Sequence, residues 1–292
     1  MTALLPGATI GILGGGQLAQ MMTLEAKRMG YRVAVLDPNP DASASVLADF
    51  AVQGRLDDLE AAHQVARVSD IITLDTEHIP AAILSELETL VPVQPTSATM
   101  AIVQDRLAQR RFLAERGLPQ TAFAAFDDEH SLVTASQRVG FPCIMKTRFS
   151  GYDGKGQVRI GDENELVGAW ERLKRQPALL EAVVDFRCEI SVVLGRDARG
   201  TVARFPIAEN LHKNHILHTT IAPARVTEKE TKQAAQIAVD TATALHYVGV
   251  MAVEMFLTSD GQTLVNEIAP RTHNSGHFTY GACATSQFEQ HI

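Results

Sequence analysis

Residues 250–268 read VMAVEMFLTSDGQTLVNEI, two largely apolar runs on either side of Ser259-Asp260-Gly261. Asp-Gly between such runs favours a two-residue hairpin turn, and with Asp260 and Gly261 at its centre Glu254 stands opposite Glu267. A symmetric four-residue loop keeps that register, whereas a three-residue loop breaks it. Directly opposed residues have Cβ atoms about 4.5–5.5 Å apart. Two carboxylates that close in an apolar strand pair repel unless a cation lies between them. Oxygen ligands that leave room for water and phosphate oxygens suit Mg²⁺. The blander alternative pairs one Glu with an Arg or Lys, Arg271 being the nearest candidate. Val253-Glu254-Met255-Phe256 offers no surface context for such a pair, which favours the metal.

Upstream, Lys146 lies near the end of a strand expected over Pro142–Thr147 and precedes Ser150-Gly151-Tyr152-Asp153-Gly154-Lys155-Gly156. Three glycines in six residues let a backbone approach phosphates closely, and the ammonium can reach an α- or β-phosphate. This is not a Walker A motif, because the Lys precedes the loop and no Lys-Ser/Thr follows. Alone, the run would often be only a flexible hairpin tip; with Lys146 just before it and two facing acids downstream, that becomes the weaker account. Downstream, Glu267-Ile268-Ala269-Pro270-Arg271-Thr272-His273-Asn274-Ser275-Gly276-His277 is dense in functional side chains. An Arg there can stabilise phosphoryl charge, and His and Asn can position or deprotonate a substrate; a solvated loop is the other reading. Expected strands over 157–160, 178–184, 189–194 and 202–207 and helices over 163–175 and 228–245 make this an α+β domain.

The N-terminal stretch follows a different grammar. Strands expected over Ala8–Leu13, Tyr31–Leu36 and Ile71–Leu74, with a helix over Gln17–Met29, imply a parallel sheet with functional loops at its carboxyl ends. Gly14-Gly15-Gly16-Gln17-Leu18-Ala19 fits G-x-G-x-x-G/A, with Asp37 where a ribose-binding acid is expected. Physically the motif establishes only a tight turn with N–H groups suited to an anion; a plain strand-to-helix turn fits as well. Pro92–Pro95 reads as a linker, and Thr99–Arg116 as one amphipathic helix. We expect a Rossmann-like domain over residues 1–95 and a second domain over 96–292 with a lid over about 119–185, the ligand lying between them.

The 292 residues are 46% hydrophobic and 21% charged, with a net charge of −8, so nothing argues for nucleic acid or an anionic membrane as partner. Apolar runs are too short to span a bilayer, no signal peptide is legible, and three scattered cysteines suit a reduced, cytoplasmic setting.

Lys146, GYDGKGQ (151–157), Glu181, Glu189, VEMF (253–256) and NEIAPRTHNSGH (266–277) together resemble the ATP-grasp superfamily. Within it the chain is similar to the 5-(carboxyamino)imidazole ribonucleotide synthetase family, whose pattern is matched in order by GILGGGQL, QDR, FRCEIS, ENLHKNHIL, YVGVMAVEMF and TSQFEQH. The resemblance implies carboxylation of 5-aminoimidazole ribonucleotide by bicarbonate and ATP through carboxyphosphate, in a homodimer of purine biosynthesis. It implies that Arg106, Lys146 and the loop Gly151, Tyr152, Asp153, Gly154, Lys155, Gly156 and Gln157 hold ATP phosphates. It further places Glu181 and Val184 at adenine, Glu189 at ribose, His212 and Asn266 near the nucleotide, and Mg²⁺ between Glu254 and Glu267. Arg271 would stabilise the transferring phosphoryl group. Gly15, Gly16, Gln17, Leu18, Glu77, Tyr152, Asp153, Arg271, His273 and Asn274 would surround the aminoimidazole ribonucleotide, with Asp153, Arg271, His273 and Asn274 as catalytic candidates.

The family pattern departs at Ala19-Gln20 and at Leu74-Asp75-Thr76-Glu77-His78-Ile79, both on the substrate side. The family also continues past Gln287-Phe288-Glu289 into a small β domain that is absent from this chain. Three alternatives follow: an ATP-binding protein without turnover, a nicotinamide dehydrogenase read from Gly14–Ala19 and Asp37, and a formate-using transformylase relative. The transformylase motif usually reads His-Asp-Thr-Gly, against His273-Asn274-Ser275-Gly276 here.

Overall fold

A computed structural model of the chain describes residues 4–149 and 155–292. Four parallel strands, β1 (Thr9–Leu13), β2 (Arg32–Asp37), β3 (Phe50–Gln53) and β4 (Ile71–Leu74), form the first sheet in the order β3-β2-β1-β4. Strand alternation sends Val33 and Val35 to one face, against Leu18, Met22 and Ala26 of the helix Gln17–Arg28. Ala34 and Leu36 go to the other, against Ala61, Ala62 and Val65 of the helix Leu59–Ala66. Both faces are covered, which is why these strands read as unbroken apolar runs. The carboxyl ends of β1, β2 and β4 therefore converge at Gly14, Asp37 and Asp75.

The expected linker at Pro92–Pro95 is part of this sheet instead. Ile72 N–H donates to Pro92 O (2.8–2.9 Å for this pair of bonds), Gln94 N–H donates to Ile72 O, and Val93 is buried beside β4. The single helix expected over Thr99–Arg116 is two, Ser97–Gln104 and Arg106–Glu115. Asp105 leaves helical geometry (φ −108°, ψ 108°) and its carboxylate accepts Leu107 N–H as an N-cap. Its carboxylate also pairs with Arg148, so tertiary contacts outweigh the local periodicity.

The second sheet is antiparallel: β5 (Phe123–Ala125), β6 (Cys143–Thr147), β7 (Gln157–Ile160) and β8 (Ala178–Ala182), ordered β5-β8-β6-β7. Cys143, Met145 and Leu180 face a core made with Leu132 and Ala135 of the helix Glu129–Val139 and Ala169 and Trp170 of the helix Leu166–Arg172. By alternation Ile144, Lys146 and Glu181 occupy the opposite face.

The third sheet holds β9 (Phe186–Arg196), β10 (Val202–Arg204), β11 (Ala208–Lys213), β12 (Ile216–Ile221), β13 (Gly249–Thr258) and β14 (Thr263–Ala269). Its order is β12-β11-β9-β13-β14, with β10 also on β9. Ile190, Val192, Met251, Val253, Met255 and Val265 pack on Ala234, Ile237 and Ala238 of the helix Glu228–Ala244 and on Phe112 and Leu113. Glu189, Glu254 and Phe256 are left on the other face.

The hairpin turn differs from expectation. Its loop has three residues, Ser259–Gly261, closed by Thr258 N–H to Gln262 O (2.9 Å) and Gly261 N–H to Thr258 O (3.0 Å), with Gly261 at φ +83°. Such a loop carries the pairs Leu257–Thr263, Phe256–Leu264 and Met255–Val265, one residue out of the expected register. A bulge at Asn266 then takes up the offset, and from there Glu254 pairs with Glu267.

Candidate active site

The second and third sheets bring their polar faces toward one cleft. On the second, Ile144 pairs with Glu181 and Lys146 lies two residues along the same face. Lys146 Nζ is 2.7 Å from Glu181 Oε2, and Arg110 Nε donates to Glu181 Oε1 at 2.6 Å. Arg110 also donates through Nη1 to Val265 O (3.0 Å), tying the helix Arg106–Glu115 to β8 and β14. All three charged groups are nearly or wholly buried. Burial pushes the Glu181 carboxyl up, but Arg110 and Lys146 outweigh it and hold it at about 2. Burial pulls the Lys146 ammonium down, against the pull of Glu181. Arg106 opens its helix and donates through Nη1 to Thr147 O (3.0 Å), which places it beside the root of the glycine loop.

That loop is closed at its base by Lys146 pairing with Gln157 and by Thr147 N–H donating to Gly156 O (2.8 Å), with Gly156 at φ +73°. Lys155 follows directly from the described part; Gly151, Tyr152, Asp153 and Gly154 lie outside the described residues. Val184 lines a cleft of about 430 Å³ with Thr121, Asp185 and Leu264, adjoining the strand that carries Glu181.

On the third sheet, Glu254 and Glu267 face each other. Burial, then the neighbouring Glu267 carboxylate, pushes Glu254 up to about 8. Glu267 is open to the cleft yet lies deep within it, and the surrounding protein raises its pKa although Arg106 and Lys146 pull the other way. Carboxyls so displaced are where a cation is most favourable. Among the described residues no third His, Cys, Asp or Glu completes a metal cluster with them. That donor set fits Mg²⁺, which takes one or two carboxylates and fills its octahedron with phosphate oxygens and water. Asn266, adjacent on the bulge, is half-buried. His212 Nδ1 lies 3.0 Å from Glu189 Oε2, and that carboxylate raises the imidazole pKa.

A second cluster joins Glu77, which follows β4, to the segment after β14. Arg271 donates through Nε to Glu77 Oε2 (2.8 Å), 194 positions away, and through Nη1 to Thr272 O (2.9 Å). His273 Nε2 is 3.4 Å from Glu254 Oε1, and burial together with Arg271 brings the ring down to about 3, so it is neutral. Asn274 is exposed beside it. At the glycine loop the anion-binding N–H groups are partly satisfied from within: Gly15 N–H donates to Asp37 Oδ2 (2.7 Å) and Gly16 N–H to Asp75 Oδ2 (2.8 Å). Asp37 thereby braces the loop. A Cβ on Gly14 would lie 1.8 Å from Asp75 Oδ1, so the glycine there is a packing requirement. Burial raises Asp75 to about 6.

Arg110, Asp75, Ser275 and Gln287 are site-supporting residues that the sequence reading missed. Arg110 had a usable signal: it lies four residues after Arg106, on the same helix face.

Comparison with known proteins shows the family. Residues 7–104 match the ribonucleotide synthetase preATP-grasp domain, and residues 111–288 match the ATP-grasp domain. The N5-carboxyaminoimidazole ribonucleotide synthase of Brucella melitensis biotype 1 is 42% identical over 293 residues, covering 100% of this chain and 81% of that protein. The chain belongs to the N5-carboxyaminoimidazole ribonucleotide synthase family of ATP-grasp ligases. The crystal structure of the Staphylococcus aureus synthetase complexed with ADP superposes with a TM-score of 0.96 at 37% identity, over 100% of this chain and 78% of that one. That of the Aspergillus clavatus synthase with ADP and 5-aminoimidazole ribonucleotide gives 0.90 at 29% identity, over 99% and 76%. The family catalyses an ATP-dependent step of purine biosynthesis, and this chain carries the pre-ATP-grasp and ATP-grasp domains for it. Among the described residues no helix is long and apolar enough to cross a membrane.

Proposed function

We propose that this ligase transfers the γ-phosphoryl group of ATP to bicarbonate, giving ADP and carboxyphosphate. Carboxyphosphate then yields CO₂ and phosphate, and CO₂ is captured by the exocyclic amine of 5-aminoimidazole ribonucleotide. The observation that carries this reading is the Glu254–Glu267 pair, with Arg106 and Lys146 close enough to Glu267 to act on its charge. Arg106 and Lys146 bind the phosphates together with Lys155, Gly156 and Gln157, while the rest of the loop called from the sequence, Gly151 to Gly154, lies outside the described residues. Lys146 exchanges part of its pairing with Glu181 for phosphate oxygens. Glu181 and Val184 bound the adenine end, while Glu189, His212 and Asn266 flank the ribose and phosphates. Glu254 and Glu267 would hold Mg²⁺, which would neutralise phosphate charge when bound.

Arg271, kept in place by Glu77, stabilises charge on the phosphoryl group in transfer. Gly15 to Leu18, Glu77, His273 and Asn274 receive the aminoimidazole ribonucleotide; Tyr152 and Asp153, called from the sequence to join them, lie outside the described residues. We place the domain boundary near residues 95/96, with a lid over about 119–185, and read the protein as a cytoplasmic homodimer. A coupled ADP-release assay tests the function: release is expected to require ATP, Mg²⁺, bicarbonate and 5-aminoimidazole ribonucleotide together. ATP binding without such release would overturn it.

A further inference from the structure

We propose that Gln287 is a positioning residue for His273, fixing the main chain of the loop that presents His273 and Asn274 to the acceptor nucleotide; this rests on the substrate-side reading of those two residues. Gln287 is fully buried at the start of the short helix Gln287–His291. Its Oε1 accepts His273 N–H at 2.9 Å and its Nε2 donates to His273 O at 2.7 Å. One amide thus satisfies both main-chain polar groups of a single residue 14 positions away, as a neighbouring strand would, and specifies where that residue lies. Gln287 N–H donates to Thr279 Oγ1 (2.9 Å), whose hydroxyl donates to Gly276 O (2.6 Å), closing the loop on itself. Gly276 completes the fit, since a Cβ there would lie 2.3 Å from Gln287 Oε1.

The ring of His273 is set separately. Ser275 N–H donates to its Nδ1 (3.2 Å), so that nitrogen is the acceptor and the proton resides on Nε2, facing Glu254. The Ser275 hydroxyl is 2.9 Å from the same Nδ1 and accepts from the Ser191 hydroxyl at 2.8 Å. With the ring held by Ser275, the remaining freedom is that of the main chain, which Gln287 removes.

The helix that carries Gln287 is itself fastened to both domains. Phe288 is fully buried among Ile10, Met22 and Val35 of the first domain. His291 Nδ1 accepts Val250 N–H (3.1 Å) from β13, so its Nε2–H donates to Thr73 Oγ1 (2.8 Å) on β4. Glu289 pairs with Arg28 at 3.0 Å. Gln287 therefore refers the position of His273 to the domain that carries the glycine loop and Glu77, the other half of the acceptor site.

The test compares Gln287→Met, close in shape but without the amide, with Phe288→Leu, which weakens the same helix without touching His273. Both are made in the full chain and assayed for kcat, for KM of ATP and of the acceptor, and for hydrogen exchange at the His273 amide. Gln287→Met is expected to lower kcat/KM for the acceptor by about tenfold to a hundredfold while KM for ATP moves by less than about twofold. His273 amide exchange should accelerate by at least about tenfold. Phe288→Leu should lower the melting temperature with no such split. If Gln287→Met does not fold, Gln287→Glu, which keeps the acceptor for His273 N–H, takes its place with the same split expected. A proportional loss toward both substrates, the same split in Phe288→Leu, or unchanged His273 protection would overturn the proposal. If the unaltered chain shows no acceptor-dependent ADP release, the functional reading fails on its own and His273 amide exchange decides the positioning role.

Discussion

Arg110→Met probes the buried charge cluster at the junction of the two sheets. The substitution keeps most of the aliphatic stem but removes the donors to Glu181 Oε1 and Val265 O. Glu181 then has Lys146 as its ion-pair partner inside the protein. Removing one member of a buried pair costs about 3–5 kcal/mol, because the survivor is left under-compensated. The depressed pKa gives an independent measure: a fall from 4.5 to about 2 corresponds to about 3 kcal/mol at about 1.4 kcal/mol per tenfold in proton affinity. That figure is shared between Arg110 and Lys146, so about 2–3 kcal/mol is expected for Arg110 by this route.

The sign in pH follows from linkage. A carboxyl with a depressed native pKa contributes stability that is full above its unfolded value near 4.5 and is lost as pH falls toward about 2. Urea unfolding of the parent chain and Arg110→Met at pH 7, 5, 4 and 3 should therefore show a gap that is constant from pH 7 to 5 and narrows below 4.5. An unchanged urea midpoint at pH 7, or a gap that widens on acidification, refutes the assignment of Glu181 as the ionised centre of this cluster.

Glu267→Gln should reduce ADP release by at least about a hundredfold with the far-ultraviolet circular dichroism unchanged; retention of the parent rate with Mg²⁺ present would disprove the metal assignment. Gly261→Ala meets nothing within 4 Å but stands at φ +83°, so strain alone should destabilise by about 1 kcal/mol while turnover persists, measured by paired melting and activity curves. Gly276→Ala places a methyl against the Gln287 amide and should cost about 1–3 kcal/mol by overpacking, with a melting temperature equal to the parent's counting against it.

The hairpin shows how a sequence can name the right pair from an incomplete argument. Asp260-Gly261 suggested a two-residue turn, and the turn has three residues because Gly261 supplies the positive φ that closes it. The pairing of Glu254 with Glu267 survives because Asn266 is bulged out. No periodicity reveals such a bulge: Val265, Asn266 and Glu267 read as ordinary alternation until the partner strand is known. The helix break at Asp105 was hidden in a similar way. Its N-cap geometry is local, but what holds it is Arg148, just past the end of β6. The parallel strands β1 and β4 were legible because burial on both faces leaves unbroken apolar runs. Short strands such as β3, with three of four residues exposed, leave no such trace.

The same contrast separates the two halves of the site. One half rests largely on strand alternation, which puts Lys146 and Glu181 on one face, although the pairing of Glu254 with Glu267 also needs the bulge at Asn266. Pattern alone can place Lys146 and Glu181. The groups proposed for the acceptor side are placed by contacts between distant segments, with Glu77 bonded to Arg271 from 194 positions away and Gln287 bonded to His273 from the start of the last helix. Spacing in sequence carries no information about such contacts, so residues like Gln287 and Asp75 become visible only when the domains are seen together. It follows that substitutions which loosen the two domains from each other should disturb the acceptor half of the reaction before the ATP half, because only the former is built across the seam.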